Sequence, residues 1–141
     1  MRYLLALSLS LLMTCVAYAD VERKKSYGAL DVHYNIFSST VLQPDTARAV
    51  GLTRSKNQAV LNVSMVKGAQ GQKGAVTGSF KNLLGQNQTL NFKEIDEGKA
   101  VYYLAQFAIT GQEMLRFDLQ LTDAEGKMHV LKFNQEVFPD L

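Results

Sequence analysis

Apolar and polar residues alternate along most of the chain after residue 27. In the clearest case Leu115, Phe117, Leu119 and Leu121 alternate with polar or charged residues. A period of two is typical of a β-strand with one buried and one wet face. Similar stretches cover residues 30–36, 59–65, 76–80, 90–92, 101–109, 115–121 and 129–133. About seven strands at this spacing predict an all-β fold, an antiparallel immunoglobulin-like β-sandwich.

One stretch, from Val101 to Ile109, is apolar on both faces. Val101, Tyr103 and Phe107 share one face, while Leu104 shares the other with Tyr102. This pattern predicts a central strand that is covered on both sides, or a strand whose outer face meets a partner.

Turn and helix signals separate the strands. The triplets 97–99, 110–112 and 125–127 each have a central glycine and predict short hairpin turns. One short helix is predicted from Pro44 to Val50, because proline suits a first helical turn and Gly51 suits the end. We expect this helix to cap one end of the sandwich.

The N-terminus has the layout of a cleavable signal peptide. Arg2 precedes the apolar stretch Leu4–Val16, and Ala17-Tyr18-Ala19 is a small-residue cleavage pattern. The apolar stretch is shorter than the ~20 residues that span a bilayer. The sequence therefore predicts a signal peptide at 1–19, a β-sandwich domain at 20–141, and an exported protein without a transmembrane segment in its mature chain.

The chain has one cysteine, Cys15, which falls within the predicted signal peptide. Cys15 could instead be the acylated first residue of a lipoprotein, but Thr14 suits that cleavage poorly. Under the favoured cleavage the mature chain has no cysteine, which excludes disulfides and cysteine catalysis.

Charge is nearly balanced. The chain has 15 Lys and Arg against 13 Asp and Glu, and losing Arg2 leaves 14 against 13. Nucleic acids and anionic membranes are bound through clustered positive charge. The balance therefore argues against a nucleic-acid partner or a dedicated membrane surface.

The most conspicuous polar cluster is Thr53-Arg54-Ser55-Lys56-Asn57, between the predicted helix and a strand. Arg54 and Lys56 could bind a carboxylate or phosphate, and Ser55 and Asn57 could add hydrogen bonds. A solvated loop is the alternative. We expect His33 and Tyr34 to complete this binding patch.

Candidate catalytic and metal-binding chemistry is sparse. His33 and His129 are the only histidines, and neither lies in a nucleophile motif or at metal-ligand spacing. The acidic cluster of Glu94, Asp96 and Glu97 lacks calcium-loop spacing. The sequence therefore predicts no catalytic residues, no bound metal and no cofactor.

The mature chain resembles a family of small exported Gram-negative bacterial proteins, the domain of unknown function DUF4426. The resemblance is strongest at His33-Tyr34 and Arg54-Ser55-Lys56-Asn57, and it continues through Asn82-Leu83-Leu84-Gly85, Tyr102-Tyr103, Leu115-Arg116-Phe117 and Leu131-Lys132-Phe133. It implies a periplasmic location. It implies no activity, cofactor or catalytic residues.

These observations together favour a non-catalytic binding or accessory module. It would recognise an anionic envelope component or a protein partner through a patch of His33, Tyr34, Arg54, Ser55, Lys56 and Asn57. One alternative is a chaperone-like protein that acts by edge-strand addition. Another is a small hydrolase that uses His33 or His129.

Overall fold

The computed structural model describes residues 23–139, so the predicted signal peptide and Cys15 lie outside the described residues. Ten strands, a 3₁₀ helix and an α-helix follow one another along this part of the chain. Their bounds are β1 Lys24–Tyr27, β2 Leu30–Ser38, the 3₁₀ helix Ser39–Val41, α1 Pro44–Val50, β3 Gln58–Lys67, β4 Gln70–Gly71, β5 Ala75–Lys81, β6 Asn87–Leu90, β7 Phe92–Asp96, β8 Val101–Ala108, β9 Glu113–Thr122 and β10 Met128–Val137.

The strands form two antiparallel sheets. The six-stranded sheet has the order β1-β2-β3-β8-β7, with β4 also paired to β3, and the four-stranded sheet has the order β10-β9-β5-β6. Their inner faces enclose one core that includes Leu61, Met65, Phe107 and Leu119. The predicted antiparallel β-sandwich is confirmed.

Three strands were not anticipated by alternation. β1 begins in a charged run, and β4 has only two residues. The predicted strand at 90–92 is in fact two strands, since the chain leaves the four-stranded sheet after Leu90 and enters the six-stranded sheet at Phe92. Alternation continues through such a crossing, so it cannot reveal the change of sheet.

Helix α1 has the predicted bounds, and Gly51 ends it in the left-handed conformation with φ 72°. Lys93 Nζ donates to Gly51 O at 2.9 Å, which neutralises the carbonyl end of the helix. The segment around α1 lies over the outer face of the six-stranded sheet, where Leu52 packs with Val60 and Leu104. The expectation that the helix caps an end of the sandwich was therefore wrong.

The same packing explains the two-sided apolar pattern of β8. This strand lies between β3 and β7, with Tyr103 and Phe107 in the main core and Leu104 in the outer cluster. Of the two predicted possibilities, a central strand covered on both faces is the one observed.

The triplet 110–112 is not a hairpin turn, because β8 and β9 lie in different sheets. It crosses between the sheets at the same end of the sandwich as loop 53–57, since Ile109 N donates to Asn57 O at 2.8 Å. We call this end, with the turn 82–86 and residue 138, the Asn57 end. Turns 97–100 and 123–127 lie at the opposite end. No helix within residues 23–139 is long and apolar enough to cross a membrane.

Candidate binding site at one end of the sandwich

Loop 53–57 is fixed to the rest of the protein by a buried serine. Ser39 is fully buried. Its Oγ accepts a hydrogen bond from Ser55 N at 2.8 Å and donates one to Ser55 O at 2.9 Å. Both backbone groups of Ser55 are thus held by one side chain, which fixes the middle of the loop.

Further hydrogen bonds hold the flanks of the loop. Thr53 N donates to Gln106 Oε1 at 3.1 Å, and Arg54 Nη2 donates to Thr40 O at 3.1 Å. The side chains of Arg54, Lys56 and Asn57 nevertheless remain exposed. The loop therefore presents two cations and an amide from a fixed backbone.

The other two predicted patch residues lie elsewhere. Tyr34 points into the sandwich, where its ring centroid is 4.4 Å from that of Phe133. His33 lies opposite Ser64 on the outer face of the sheet. It is five residues from Ser38, the end of β2 nearest the loop, or roughly 16 Å at the usual rise of a strand. The structure brings Arg54, Ser55, Lys56 and Asn57 together, but does not bring His33 and Tyr34 to them.

Exposed apolar side chains are concentrated at the Asn57 end. Leu83 is 69% exposed, Leu84 84%, Val41 68% and Phe138 56%. Val41 ends the 3₁₀ helix, and the other three lie outside the helices and strands at this end. Sequence reasoning missed them because alternation identifies strands and says nothing about loops. The one available signal was the Leu83-Leu84 pair between two turn-forming residues, Asn82 and Gly85.

The turn that carries the two leucines is well ordered by its own hydrogen bonds. Asn82 Oδ1 accepts from both Leu84 N and Gln86 N at 3.0 Å. Gly85 adopts φ 79°, which a side chain would disfavour. The turn holds Leu83 and Leu84 in solvent, where each loses the ~1.5–3 kcal/mol that burial of a large apolar side chain provides.

A cleft of about 180 Å³ opens between β2 and β10 at the same end of the sandwich. Ile36, Ile109 and Val137 contribute apolar walls. Gln135 also lines the cleft, and its Oε1 is buried without a hydrogen-bond partner in the described structure. A buried acceptor of this kind costs about 1–3 kcal/mol unless it is satisfied, so a donor from a bound group would stabilise the site.

The cleft lies between two strand edges. Among the described residues, the last hydrogen bond between β2 and the segment that leads into β1 is the one from Tyr34 N to Arg23 O, at 3.0 Å. The backbone groups of Ile36 and Ser38 that face the cleft therefore have no strand partner in that part of the chain. Among residues 23–139, β10 pairs there only with β9.

Away from the Asn57 end, His129 forms a largely buried contact with a carboxylate. Its Nε2 lies 2.8 Å from Asp123 Oδ2, and its ring centroid is 4.7 Å from that of Tyr27. The contact with His129, together with hydrogen bonds from Lys127 N and Glu125 N, lowers the pKa of the Asp123 carboxyl below its ordinary value. Residues 23–139 include no group of three or more His, Cys, Asp and Glu side chains placed to hold a metal ion.

The predicted acidic cluster takes part in local structure. Tyr103 Oη donates to Glu94 Oε1 at 2.8 Å and accepts from Gly74 N at 2.8 Å. Burial is the main cause that raises the pKa of Tyr103 to about 12. Asp96 pairs with Lys73 at 2.7 Å. These contacts join β7 and β8 to the segment that leads into β5.

The family of the chain follows from its sequence. The pattern of DUF4426, a domain of unknown function, matches residues 24–140. The chain belongs to the DUF4426 family. A crystal structure of a DUF4426 protein from Pseudomonas aeruginosa is 43% identical, with a TM-score of 0.80, over 88% of this chain and 100% of that protein. No curated protein matches the chain.

FetP from uropathogenic Escherichia coli shares the fold at much lower identity. The as-isolated protein is 13% identical with a TM-score of 0.55, over 83% of this chain and 93% of FetP. A copper-bound FetP variant is 14% identical with a TM-score of 0.56, over 85% and 96% of the two chains. At this level of identity the similarity concerns the fold alone, and the copper belongs to FetP.

Proposed function

We propose that this DUF4426 protein is an exported, non-catalytic binding module that recognises an envelope component through the Asn57 end. The observation that carries the proposal is the coincidence of two features at that end. Loop 53–57 presents Arg54 and Lys56 from a fixed backbone, and four large apolar side chains are exposed at the same end of the sandwich. Exposed apolar groups beside fixed charges are typical of interaction sites.

The fixed loop favours binding for a thermodynamic reason. A flexible loop loses conformational entropy when a partner orders it, and this loss weakens association. The hydrogen bonds from Ser39 and Gln106 order the loop before a partner arrives. Arg54 and Lys56 can therefore engage an anionic group with little further ordering of the backbone.

The proposal is tested by chemical cross-linking in the intact periplasm, with Arg54→Gln/Lys56→Gln compared with the native protein. The matched control is Lys99→Gln/Lys127→Gln, which removes two exposed cations from turns at the opposite end. We expect a cross-linked envelope component with the native protein and the control, and its loss with Arg54→Gln/Lys56→Gln. Equal recovery from all three proteins would contradict this assignment.

Export into the periplasm is part of the proposal and is tested separately. Cell fractionation should place the protein in the periplasmic fraction, and its N-terminal sequence should begin at Asp20. A protein that retains residues 1–19, or that begins with a lipidated Cys15, would contradict this part.

A second candidate, edge-strand addition, is favoured by the cleft between β2 and β10. Ile36, Ser38 and Gln135 line the same cleft, and within residues 23–139 the backbone groups of the first two have no strand partner and Gln135 Oε1 has no donor. An added strand would satisfy them by backbone hydrogen bonding. Partner-dependent protection of Ile36 and Ser38 amides from hydrogen exchange would support this mode. Protection confined to loop 53–57 would contradict it.

A further inference from the structure

A pair of cations lies directly behind the turn that exposes Leu83 and Leu84. Lys81, the last residue of β5, is the cross-strand partner of Arg116 in β9. Both side chains are exposed on the outer face of the four-stranded sheet, since their neighbours Phe80 and Phe117 are buried in the core. Opposed side chains on adjacent strands lie about 5 Å apart at their Cβ atoms.

This cation pair has no acidic partner within the described residues. The nearest acid along β9 is Asp118, and it pairs with Lys132 at 3.7 Å. Like charges directly opposite each other destabilise a sheet. A bound anion would relieve that repulsion, so the pair is suited to anionic ligands.

Two amide side chains extend the cation pair into a row. Asn134 lies opposite Arg116, and Asn87 lies opposite Lys81. The row lines a groove of about 270 Å³, which the ion pair of Asp118 and Lys132 also lines. Phosphate oxygens accept hydrogen bonds from guanidinium, ammonium and amide groups alike, so the row offers donors along its whole length.

The acids near this end are already engaged by neighbouring side chains. Glu113 Oε2 accepts from Thr110 Oγ1 at 3.0 Å, and Glu136 Oε1 accepts from Gln112 Nε2 at 2.6 Å. Both carboxylates keep their negative charge, but four exposed cations, Lys81, Arg116, Arg54 and Lys56, outnumber them at this end.

We propose that the Asn57 end docks on an anionic phospholipid surface, with Leu83 and Leu84 inserted between the headgroups and Lys81 and Arg116 bound to lipid phosphates. This inference rests on the proposed function and names the envelope component. The exposed apolar side chains lie on separate segments, the turn 82–86, the 3₁₀ helix Ser39–Val41 and residue 138, so each can enter a fluid surface on its own. Apolar insertion combined with basic groups is how peripheral proteins bind anionic membranes.

The inference departs from what the net charge suggested. Lys81 and Arg116 are 35 residues apart in the sequence and become neighbours only through the pairing of β5 with β9. A balanced total charge therefore coexists with a local cluster. The cluster becomes visible only once the strand register is known.

The test is co-sedimentation of the folded mature protein with vesicles of phosphatidylglycerol or phosphatidylcholine. We expect binding to phosphatidylglycerol that exceeds binding to phosphatidylcholine and weakens at high salt. Each basic residue near an anionic surface contributes roughly five-fold in partitioning. Lys81→Gln/Arg116→Gln should therefore weaken binding by about 25-fold, and Leu83→Ser/Leu84→Ser should weaken it at least as much.

Matched controls remove the same kinds of group from the opposite end. Met128→Ser/Val130→Ser removes two exposed apolar side chains, and Lys99→Gln/Lys127→Gln removes two exposed cations. Both controls should bind like the native protein. Equal weakening in the controls, or no preference for phosphatidylglycerol, would overturn the proposal. A loss confined to Lys81→Gln/Arg116→Gln would also overturn it, because that result indicates anion binding without insertion.

The vesicle experiment separates this inference from the proposed function. If the protein ignores phosphatidylglycerol vesicles while the periplasmic cross-link still depends on Arg54 and Lys56, the Asn57 end binds another component. The lipid inference then fails and the proposed function stands. If vesicle binding is observed but is unchanged by Arg54→Gln/Lys56→Gln, loop 53–57 is not the recognition loop.

Discussion

The outer faces of the two sheets differ, and the difference is already present in the sequences of their central strands. β8 carries apolar residues on both faces, and the segment around α1 covers Leu104 on its outer face. β9 alternates strictly, and Arg116 and Gln120 on its outer face are exposed. A strand that is apolar on both faces therefore indicates a sheet whose outer face is covered. A strictly alternating strand indicates a sheet whose outer face is exposed, so that its polar side chains can contact a ligand.

The largest expected effect comes from truncating the covered face. Leu104→Ala should lower the free energy of unfolding by about 2–5 kcal/mol, because it removes buried methyl groups and leaves a cavity. Gln120→Ala, its counterpart on the open face, should change it by less than about 0.5 kcal/mol. Denaturant unfolding of both variants measures the contrast. Similar losses in the two variants would mean that the faces do not differ as described.

A smaller effect is expected from the serine that fixes the covering segment to the loop. Ser39→Ala should cost about 1–3 kcal/mol, since Ser55 N and Ser55 O both lose a buried partner. Ser79→Ala, on the open face, is the control and should be nearly neutral. Hydrogen exchange at Ser55 should accelerate in Ser39→Ala. Unchanged exchange would show that Ser39 does not fix the loop.

The two sheets are also joined at the opposite end, by Tyr103. Tyr103→Phe should cost about 1–2 kcal/mol at neutral pH, because Gly74 N loses its acceptor. The folded-state pKa of about 12 lies above the ordinary value of 10.0, so the unfolded chain releases this proton first. Native stability should therefore fall as the pH rises from 10 towards 12. Urea unfolding across that range checks this, and an identical decline in Tyr103→Phe would contradict it.

The smallest expected effect concerns the turn between β9 and β10 and is measured as the slope of the stability profile in acid. The pKa of Asp123 is lowered in the folded protein, chiefly by His129, so its stabilising contribution is present at neutral pH and is lost as the pH falls through the lowered value. Asp123→Asn should flatten the acid limb of the stability profile below about pH 4. If both proteins lose stability equally as the pH falls, carboxyl groups other than Asp123 cause the acid destabilisation.

Alternation and turn chemistry predicted most of the fold. The strand around Phe117 and the helix from Pro44 to Val50 follow from local rules, because a side chain's exposure depends on its own strand or helical turn. The crossings at Asn91 and at 110–112 were missed, since adjacent strands in the chain need not share a sheet. Sheet membership depends on long-range packing, which local patterns do not record.

The candidate site was predictable to a lesser extent. Arg54-Ser55-Lys56-Asn57 was singled out because its polar residues are consecutive, whereas the inward direction of Tyr34 could not be predicted because it depends on the register of β2. Lys81 and Arg116 were missed because only strand pairing brings them together. A site built across strands cannot be found from spacing in the sequence.

The most direct test of the central claim is site-specific photo-cross-linking in living cells, with a photoreactive amino acid placed at Asn57 or at Lys127. Both positions are exposed, and they lie at opposite ends of the sandwich. If the Asn57 end is the recognition surface, adducts with an envelope component should form from position 57 and be absent from position 127. Adducts from position 127 alone, or equally from both positions, would show that the Asn57 end is not the recognition surface.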